Sequence, residues 1–405
     1  MRDAPKPSIF VFYHYLPPDD VVSAVHFGDL CAGLAERGWD VSAFPAIWGC
    51  RNERIRYARA EEWKGVHIRR LWRPRFRQAS ASGRLLNAVW MIASWSLLAL
   101  GRNNTPDIVI VGTDPILSVL AARFWKRIRP RTKVVHWCFD LYPEAAVADG
   151  VLPSDGLLTR FLYRILRPAY RCCSVIADLG PCMRRLLARY NSNAQCVTRV
   201  PWALEEPDGP LATASAEREA VFGEAELALL YSGNFGRAHS YQEILDLMEK
   251  LTPLGVKLAF SVRGNRESEL RKAASERDLG VRFVPFANAD KLAARLACAD
   301  VHVVSLRPEW TGMVVPSKFF GALSAGRPVL FSGNRESSVA RWIETFHLGW
   351  VLNSENLAET AANLSRYASS PQEQAAMRER CFRVYQQQFS KHAQLEEWHS
   401  LLGSL

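Results

Sequence analysis

Lys318 lies at the predicted start of a helix, within the stretch VVPSKFFGALSAGRPVLFSG (residues 314–333). Pro316 and Ser317 are typical of a helix start, but a cation in the first turn opposes the helix dipole. A doubly charged anion bound at the same point would remove that conflict. The alternative is a solvated surface lysine that tolerates a weak repulsion. The stretch therefore indicates a candidate phosphate site.

A glycine turn, GNFG (residues 233–236), follows a predicted strand and precedes an amphipathic helix. Backbone N–H groups in such a turn can approach a phosphate closely, and the helix N-terminus favours negative charge. Arg237 could add charge-assisted hydrogen bonds, and His239 follows it. An ordinary strand-to-helix turn with a surface arginine is an equally good interpretation of this motif alone.

Two further segments have the same strand-then-turn pattern. Gly264 ends the strand pattern of SVRG and could hold part of a nucleotide, although many strands simply end in this way. Phe286, after the strand pattern VRFVPF, could frame a base. With the first two motifs, these segments predict a nucleotide site in the C-terminal half.

Titratable side chains in the N-terminal half also follow predicted strands. His136, Asp140 and Glu144 come after the strand in HWCFDLYPE. The first strand-to-helix loop carries a further polar set: His14, Asp19, Asp20, Ser23 and His26. Any one of these could be a satisfied polar residue. Together they predict polar groups at the carboxyl ends of strands, where a bound sugar or acceptor would lie.

Alternating short apolar strands and longer helical patterns predict the elements that position these residues. The pattern is that of an α/β protein with parallel sheets, and 405 residues are too many for one ordinary core. A Pro-, Gly- and acid-rich segment near residue 210 separates two such series. We expect two Rossmann-like doubly wound domains facing a central cleft, residues 1–205 and 206–385.

The formal net charge of +10 favours an anionic partner. The basic residues are spread along the chain without a long Lys/Arg tract, which argues against a nucleic-acid partner. The nine cysteines lack a Cys-x-x-Cys spacing and the N-terminus lacks a signal-peptide pattern. We therefore expect a cytoplasmic protein without a metal site or disulfide framework.

The apolar segment LLNAVWMIASWSLLAL (residues 85–100) is shorter than a membrane-spanning helix needs to be. A helix buried in the protein is the preferred interpretation. Arginines flank the segment, so peripheral docking on an anionic membrane surface, at the inner face of the plasma membrane, is the alternative.

Several of these motifs together resemble the retaining family-4 glycosyltransferases of the GT-B fold, in particular the branch that builds bacterial cell-surface polysaccharides. The resemblance covers essentially the whole chain. It rests on YSGNFGRAHSYQEIL, CADVHVVSL, VVPSKFFGALSAGRPVLFSG and FDLYPE. It implies that residues 386–405 form a helix crossing back to the first domain.

The resemblance implies that the diphosphate of a nucleotide-sugar lies against the glycine turn, with Lys318 as a second phosphate cation. The predicted donor-binding set is Gly233, Asn234, Gly236, Arg237, His239, Gly264, Phe286, Val315, Ser317 and Lys318. Asn234 stands where the family usually has arginine, and His239 lies near its usual lysine. The family's two glutamates would fall at Met313 and Gly321.

The resemblance also implies catalytic roles. His136, Asp140 and Glu144 would orient acceptor or donor sugar. Glu309, the carboxylate nearest to the missing pair, would take a sugar-hydroxyl role. His14 and Asp20 would line the opposite wall of the cleft.

The function implied is retaining transfer of a sugar from a UDP- or GDP-sugar to a lipid-linked or polysaccharide-precursor acceptor in cell-envelope glycan biosynthesis. The nucleotide-sugar would be a co-substrate, with no separate cofactor. No Asp-x-Asp element occurs where a metal would hold the diphosphate, so we expect metal-independent turnover. The alternatives are a sugar-nucleotide epimerase of the same fold and a non-catalytic binding partner.

Overall fold

The computed structural model describes residues 6–19, 21–77, 80–102, 104–277 and 279–405. Its chain divides into two compact units. Unit 1 comprises Met1–Val200 and Leu395–Leu405, and unit 2 comprises Pro201–Gln394. The sequence placed the two boundaries after residues 205 and 385. In the structure they fall after Val200 and after Gln394, so residues 386–394 of the segment assigned to the crossing helix belong to unit 2 and residues 395–405 belong to unit 1.

Unit 1 is built on an eight-stranded sheet with the strand order β3-β4-β2-β1-β5-β6-β7-β8. All neighbouring strands are parallel except β3 and β4, which form an antiparallel pair. The strands are β1 Ser8–Phe12, β2 Asp40–Ala43, β3 Ala60–Trp63, β4 Val66–Arg69, β5 Ile108–Val111, β6 Lys133–Trp137, β7 Val175–Asp178 and β8 Gln195–Thr198. The central strand β5, IVIV, is buried along its whole length, as expected for a strand covered on both faces.

Six helices connect these strands: α1 Val22–Glu36, α2 Ala81–Leu98, α3 Leu120–Ile128, α4 Glu144–Ala148, α5 Leu157–Arg171 and α6 Pro181–Leu187. Right-handed crossovers put α1 on one face of the sheet and α2, α3 and α5 on the other. α3 contacts both α2 and α5. Trp125 of α3 donates its indole N–H to the Trp95 carbonyl of α2 at 2.9 Å.

The prediction that residues 85–100 form a buried helix is wrong for half of the helix surface. The inner stripe of α2, which includes Met91 and Trp95, is buried. The opposite stripe, which includes Val89 and Leu97, is exposed although it is equally apolar. An all-apolar segment gives no periodicity from which this orientation could be predicted. Among the residues that the structure describes, no helix combines the length and hydropathy needed to span a bilayer.

Unit 2 contains a six-stranded parallel sheet with the order β11-β10-β9-β12-β13-β14. The strands are β9 Leu227–Asn234, β10 Val256–Arg263, β11 Arg282–Phe283, β12 Val301–Ser305, β13 Val329–Ser332 and β14 Gly349–Leu352. The sequence pattern predicts a strand at each of these places, in the segments LALLYSGNFG, VKLAFSVRG, VRFVPF, ADVHVVSL, RPVLFSG and LGWVLN.

The remaining helices are α7 Ser215–Phe222, α8 Gln242–Leu251, α9 Glu267–Ser275, α10 Ala289–Ala297, α11 Lys318–Ser324, α12 Ser338–Phe346, α13 Leu357–Ala368, α14 Pro371–Val384 and α15 Lys391–Gly403. The last part of α15 belongs to unit 1. There Trp398 is fully buried with its ring 5.2 Å from that of Trp137, and Glu396 pairs with Arg37 at 2.7 Å.

Candidate functional site

Lys318 is the first residue of α11, and its side chain lies beside the carboxyl end of β9. Its Nζ is 3.3 Å from Nε2 of His239 and 5.2 Å from the centre of the Tyr231 ring. No carboxylate among the described residues pairs with it. Lys318 is thus a half-buried cation next to a neutral imidazole and an aromatic face.

The hydrogen bonds around His239 fix which of its nitrogens carries the proton. Nδ1 lies 2.7 Å from the Ser305 carbonyl, which can only accept, so Nδ1 donates. Nε2 then presents a lone pair to the Lys318 ammonium. Burial, and secondarily the charge of Lys318, lowers the pKa of His239 to about 3, so this arrangement persists at neutral pH. One ammonium hydrogen of Lys318 is thereby directed to His239, and the others remain for a ligand.

The protein atoms around Lys318 lower its pKa to about 7, because an ammonium loses hydration there. An anion placed against the ammonium would favour its charged form. The site is therefore suited to a phosphate, whose oxygens accept the remaining hydrogens.

Gly233 makes room for Lys318. Its φ of +128° is in the region that favours glycine, and a Cβ there would lie 2.8 Å from Cε of Lys318. The glycine turn and the lysine, which are far apart in sequence, therefore depend on each other sterically. The structure brings these two predicted donor-site residues together with His239.

The turns after β9 and β10 pack against each other. Gly264 has a φ of +148°, and a Cβ there would lie 2.3 Å from the Phe235 carbonyl oxygen and 3.0 Å from Oδ1 of Asn234. A Cβ on Gly236 would lie 3.2 Å from Nδ2 of the same asparagine. Gly264 thus serves close packing of two loops, and Asn234 is exposed beside them.

Arg307 connects Glu309 to the glycine turn. Its backbone N–H donates to the Ala238 carbonyl at 2.8 Å, and its guanidinium lies 3.4 Å from the Arg237 carbonyl. Nε of Arg307 is 3.5 Å from the exposed carboxylate of Glu309. The arrangement keeps Glu309 near the same end of the sheet as Lys318.

Phe286 follows β11, and the guanidinium of Arg263 lies over its ring at 4.1 Å. A half-buried ring with a cation stacked on it can take part in stacking with a planar base. Val315 and Ser317 lie in the segment leading into α11, where Val315 is half-buried and Ser317 exposed.

Two arginines near this site, Arg307 and Arg266, were not predicted from the sequence. Arg266 donates from Nη1 to the His239 carbonyl at 2.5 Å and pairs with Glu269 at 2.6 Å. The position of Arg266 directly after the Gly264-Asn265 turn was the signal that could have indicated it. The ion pair between Arg266 and Glu269 joins residues three apart in sequence, and such a pair does not indicate a ligand site.

In unit 1, three polar residues meet at the carboxyl ends of the adjacent strands β1, β5 and β6. Nδ1 of His14 donates to Oδ1 of Asp114 at 3.1 Å. The packing around Asp140 and the charge of Asp114 raise the pKa of Asp140 to about 6, while its side chain remains exposed. Asp114 was not predicted, although it lies two residues after PDIVIVG (residues 106–112), whose apolar pattern predicts a strand.

His136 is buried below Asp140. Its Nδ1 donates to the Val111 carbonyl at 2.9 Å, and burial lowers its pKa to about 4. Both side chains line a cavity of about 10 Å³, room for about one water molecule. Nε2 of His136 has no hydrogen-bond partner within the described part of the chain. His136 thus lines the same cavity as Asp140 but is not itself accessible from solvent.

Glu144 is buried and faces away from solvent. Tyr190 donates its hydroxyl to Oε1 at 2.9 Å, and Arg189 lies 3.5 Å away. Burial raises the pKa of Glu144. The structure therefore gives this predicted catalytic residue a set of internal partners and no accessible face.

The polar residues of the first loop have separate structural surroundings. Asp19 is buried and accepts hydrogen bonds from the Cys50 amide at 2.9 Å and the Tyr57 hydroxyl at 3.1 Å. His26 is buried beside Phe139. Asp20 lies outside the described residues. Among the polar residues of this loop that the structure describes, His14 is the one with a recorded hydrogen bond to Asp114.

Comparison with known proteins adds a family assignment to part of the chain. Residues 23–203 match the family described as Glycosyl transferase 4-like domain. Over 286 residues the chain is 26% identical to "Probable glycosyltransferase WbjE" of Pseudomonas aeruginosa, covering 68% of this chain and 70% of that protein. Over 119 residues, 29% of each protein, it is 27% identical to WcaI of Escherichia coli K12, named as a colanic acid biosynthesis glycosyl transferase.

Solved structures share the fold at low sequence identity. Sucrose-phosphate synthase from Thermosynechococcus elongatus superposes with a TM-score of 0.73 at 15% identity, covering 99% of both chains. Anabaena HepE in complex with UDP and glucose gives 0.66 at 12%, covering 99% of this chain and 100% of that one. These likenesses confirm the predicted α/β fold of two Rossmann-like domains.

Proposed function

We propose that the chain is a glycosyltransferase of the GT-B fold and that it transfers a sugar, with retention, from a UDP- or GDP-sugar. The acceptor is a lipid-linked or polysaccharide-precursor glycan of the cell envelope, and the reaction takes place on the cytoplasmic side. One observation carries the donor assignment: Lys318 is a half-buried cation whose ammonium is oriented by His239. The complex of HepE with UDP and glucose, and the name of WcaI, support the donor class and the pathway.

On the donor side, Lys318 and Arg237 bind the diphosphate, and the N–H groups of the Gly233 turn contact it. The acceptor oxygen attacks the anomeric carbon as the bond to the diphosphate breaks. The leaving phosphate takes the acceptor proton, so no protein nucleophile is required. Lys318 and Arg237 stabilise the negative charge that develops on the diphosphate, without a metal ion.

On the acceptor side, Asp140 and Asp114 accept hydrogen bonds from sugar hydroxyls. His14 positions Asp114, and His136 and Glu144 support the floor of the site from beneath. Glu309 accepts a hydrogen bond from a hydroxyl of the donor sugar. Phe286 stacks on the base, with Arg263 on its other side.

Incubation with radiolabelled UDP- and GDP-sugars and a membrane lipid extract tests the proposal. We expect label in the lipid phase, the same turnover in the presence of EDTA, and a product with the donor's anomeric configuration by NMR. Release of a free epimer would instead identify an epimerase. No turnover with any donor, together with measurable nucleotide binding, would identify a non-catalytic binding partner. Loss of turnover on EDTA addition would overturn metal independence alone.

A further inference from the structure

We propose that the outer surface of α2, α3 and α5 docks on an anionic lipid bilayer. This surface, termed here the docking face, combines exposed apolar side chains with unpaired arginines. It extends the proposed function by a binding surface and does not rest on the donor assignment, because lipid binding needs no nucleotide-sugar.

The apolar part of the docking face is long and continuous along α2. Val89 and Leu97 are each 58% exposed, and Leu86 lies on the same stripe. The indoles of Trp72 and Trp90 are both exposed and pack edge to face at 5.1 Å. Soluble monomers rarely expose a stripe of this kind without a partner for it. Tryptophan is the residue enriched at the level of lipid headgroups.

The start of α5 continues the apolar part. Leu157 is 84% exposed, and Leu158 and Phe161 are exposed beside it. α2 lies between the parallel strands β4 and β5, and α5 lies between the parallel strands β6 and β7, so the chain enters both connections from the carboxyl edge of the unit 1 sheet. This is the edge at which Asp114 and Asp140 lie, so lipid docked there would be close to the proposed acceptor site.

The charge of the docking face has one sign. None of the three helices contains an aspartate or glutamate, and the segment from residue 69 to residue 102 also lacks them. Arg123 of α3 and Arg160 and Arg164 of α5 are exposed. None of these three arginines pairs with a carboxylate in the ranges that the structure describes.

The positive charge of the docking face favours an anionic bilayer, and not a second copy of the chain, as the surface that covers it. Two docking faces in contact would bring arginines against arginines without intervening carboxylates, which costs free energy in a low-dielectric interface. Anionic headgroups would instead neutralise the arginines while the tryptophans and leucines enter the interfacial region.

The test is co-sedimentation of the full chain, without nucleotide, with vesicles of phosphatidylcholine alone or of phosphatidylcholine and phosphatidylglycerol in equal amounts. We expect binding to the anionic vesicles only, weakened by salt. Val89→Asp combined with Leu97→Asp should lower the partition coefficient at least tenfold, and Arg160→Gln combined with Arg164→Gln should lower it severalfold. Leu254→Asp in unit 2, where the leucine is 49% exposed, is the matched control and should leave it unchanged.

Circular dichroism melts and nucleotide binding by each variant establish that it is folded. The proposal is overturned if the wild type sediments with neither vesicle, or if Leu254→Asp weakens binding as much as the docking-face variants do. A concentration-dependent dimer in light scattering, lost in the Val89→Asp and Leu97→Asp variant and accompanied by no vesicle binding, would assign the face to self-association instead.

Discussion

The Lys318 site of unit 2 and the Asp114–Asp140 site of unit 1 are opposite in charge but alike in construction. Both lie at the carboxyl ends of parallel strands, and in both a histidine donates from Nδ1 to a fixed acceptor. The surrounding protein lowers the pKa of Lys318 and raises that of Asp140, because it disfavours the charged form of either group. Each unit therefore holds one ionisable group whose charged form the surrounding protein disfavours.

The difference between the sites teaches what each can bind. Lys318 has a neutral imidazole beside it, and its charged form is stabilised when an anion approaches. Asp140 has a second carboxylate, that of Asp114, beside it, and its charged form is stabilised when a hydroxyl or another hydrogen-bond donor approaches. In the proposed reaction, the first binds the leaving diphosphate and the second binds the incoming sugar.

The largest effect is expected for Lys318→Ala. Loss of the ammonium removes charge-assisted bonds to the donor in both the bound and the transition state, so kcat/KM should fall about 10³-fold. Calorimetry measures the loss of nucleotide affinity in the bound state, and steady-state kinetics measure the loss of kcat/KM. Lys250→Ala, at an exposed lysine of α8, is the control. Unchanged donor affinity and turnover in Lys318→Ala would remove the phosphate assignment.

Asp140→Asn should lower kcat about 10²-fold and leave donor affinity unchanged, because the carboxylate acts on the acceptor side. The variant should also be more stable than the wild type at about pH 8 and equal to it at about pH 4. Because the pKa of Asp140 is raised in the folded protein, the free energy of unfolding of the wild type falls as pH rises from about 4 to about 6. Thermal melts at both pH values check this. Asp155→Asn, in an exposed loop of unit 1, should show neither change.

The pH dependence of donor affinity separates the two sites further. Since the pKa of Lys318 is about 7, the dissociation constant of UDP or GDP should rise as pH increases above it, up to about tenfold per pH unit. Lys318→Arg keeps its charge and should abolish this rise. Asp140→Asn should retain it. Parallel curves for the wild type and Lys318→Arg would show that another group controls binding.

The smallest effect is expected for Gly233→Ala. The new Cβ would meet Cε of Lys318 at 2.8 Å on a backbone with a φ of +128°, so we expect a loss of about 1–3 kcal/mol in the free energy of unfolding. Nucleotide affinity should fall with it. Gly209→Ala, where a Cβ would meet open space, is the control for chemical denaturation. Equal stability of both variants would contradict the steric link between the turn and Lys318.

Local sequence patterns predicted unit 2 better than unit 1, for physical reasons. The strands of unit 2 are apolar runs bounded by turn residues, and Lys318 conflicts with the helix dipole within one short stretch. The strands β3, AEEW, and β8, QCVT, are short and largely polar, so no pattern distinguishes them from loops. Pairing with neighbouring strands decides their conformation.

The parts of the site that could not be predicted depend on contacts between distant residues. His14 and Asp114 are a hundred residues apart and meet only because β1 pairs with β5. The burial of Glu144 depends on Tyr190, which comes from another helical segment. A sequence pattern can show that such residues follow strands, but it cannot show which of them the packing leaves accessible.

The return of residues Leu395–Leu405 to unit 1 affects the order in which the protein can fold during synthesis. Trp398 fills part of the core of unit 1 against Trp137, but the ribosome makes it only after the 194 residues of Pro201–Gln394. At about 5–20 residues per second, this delay is roughly 10–40 s. The ribosome thus finishes unit 2 before it finishes unit 1. Until Trp398 is made, unit 1 exposes an unfilled apolar site that a chaperone could bind.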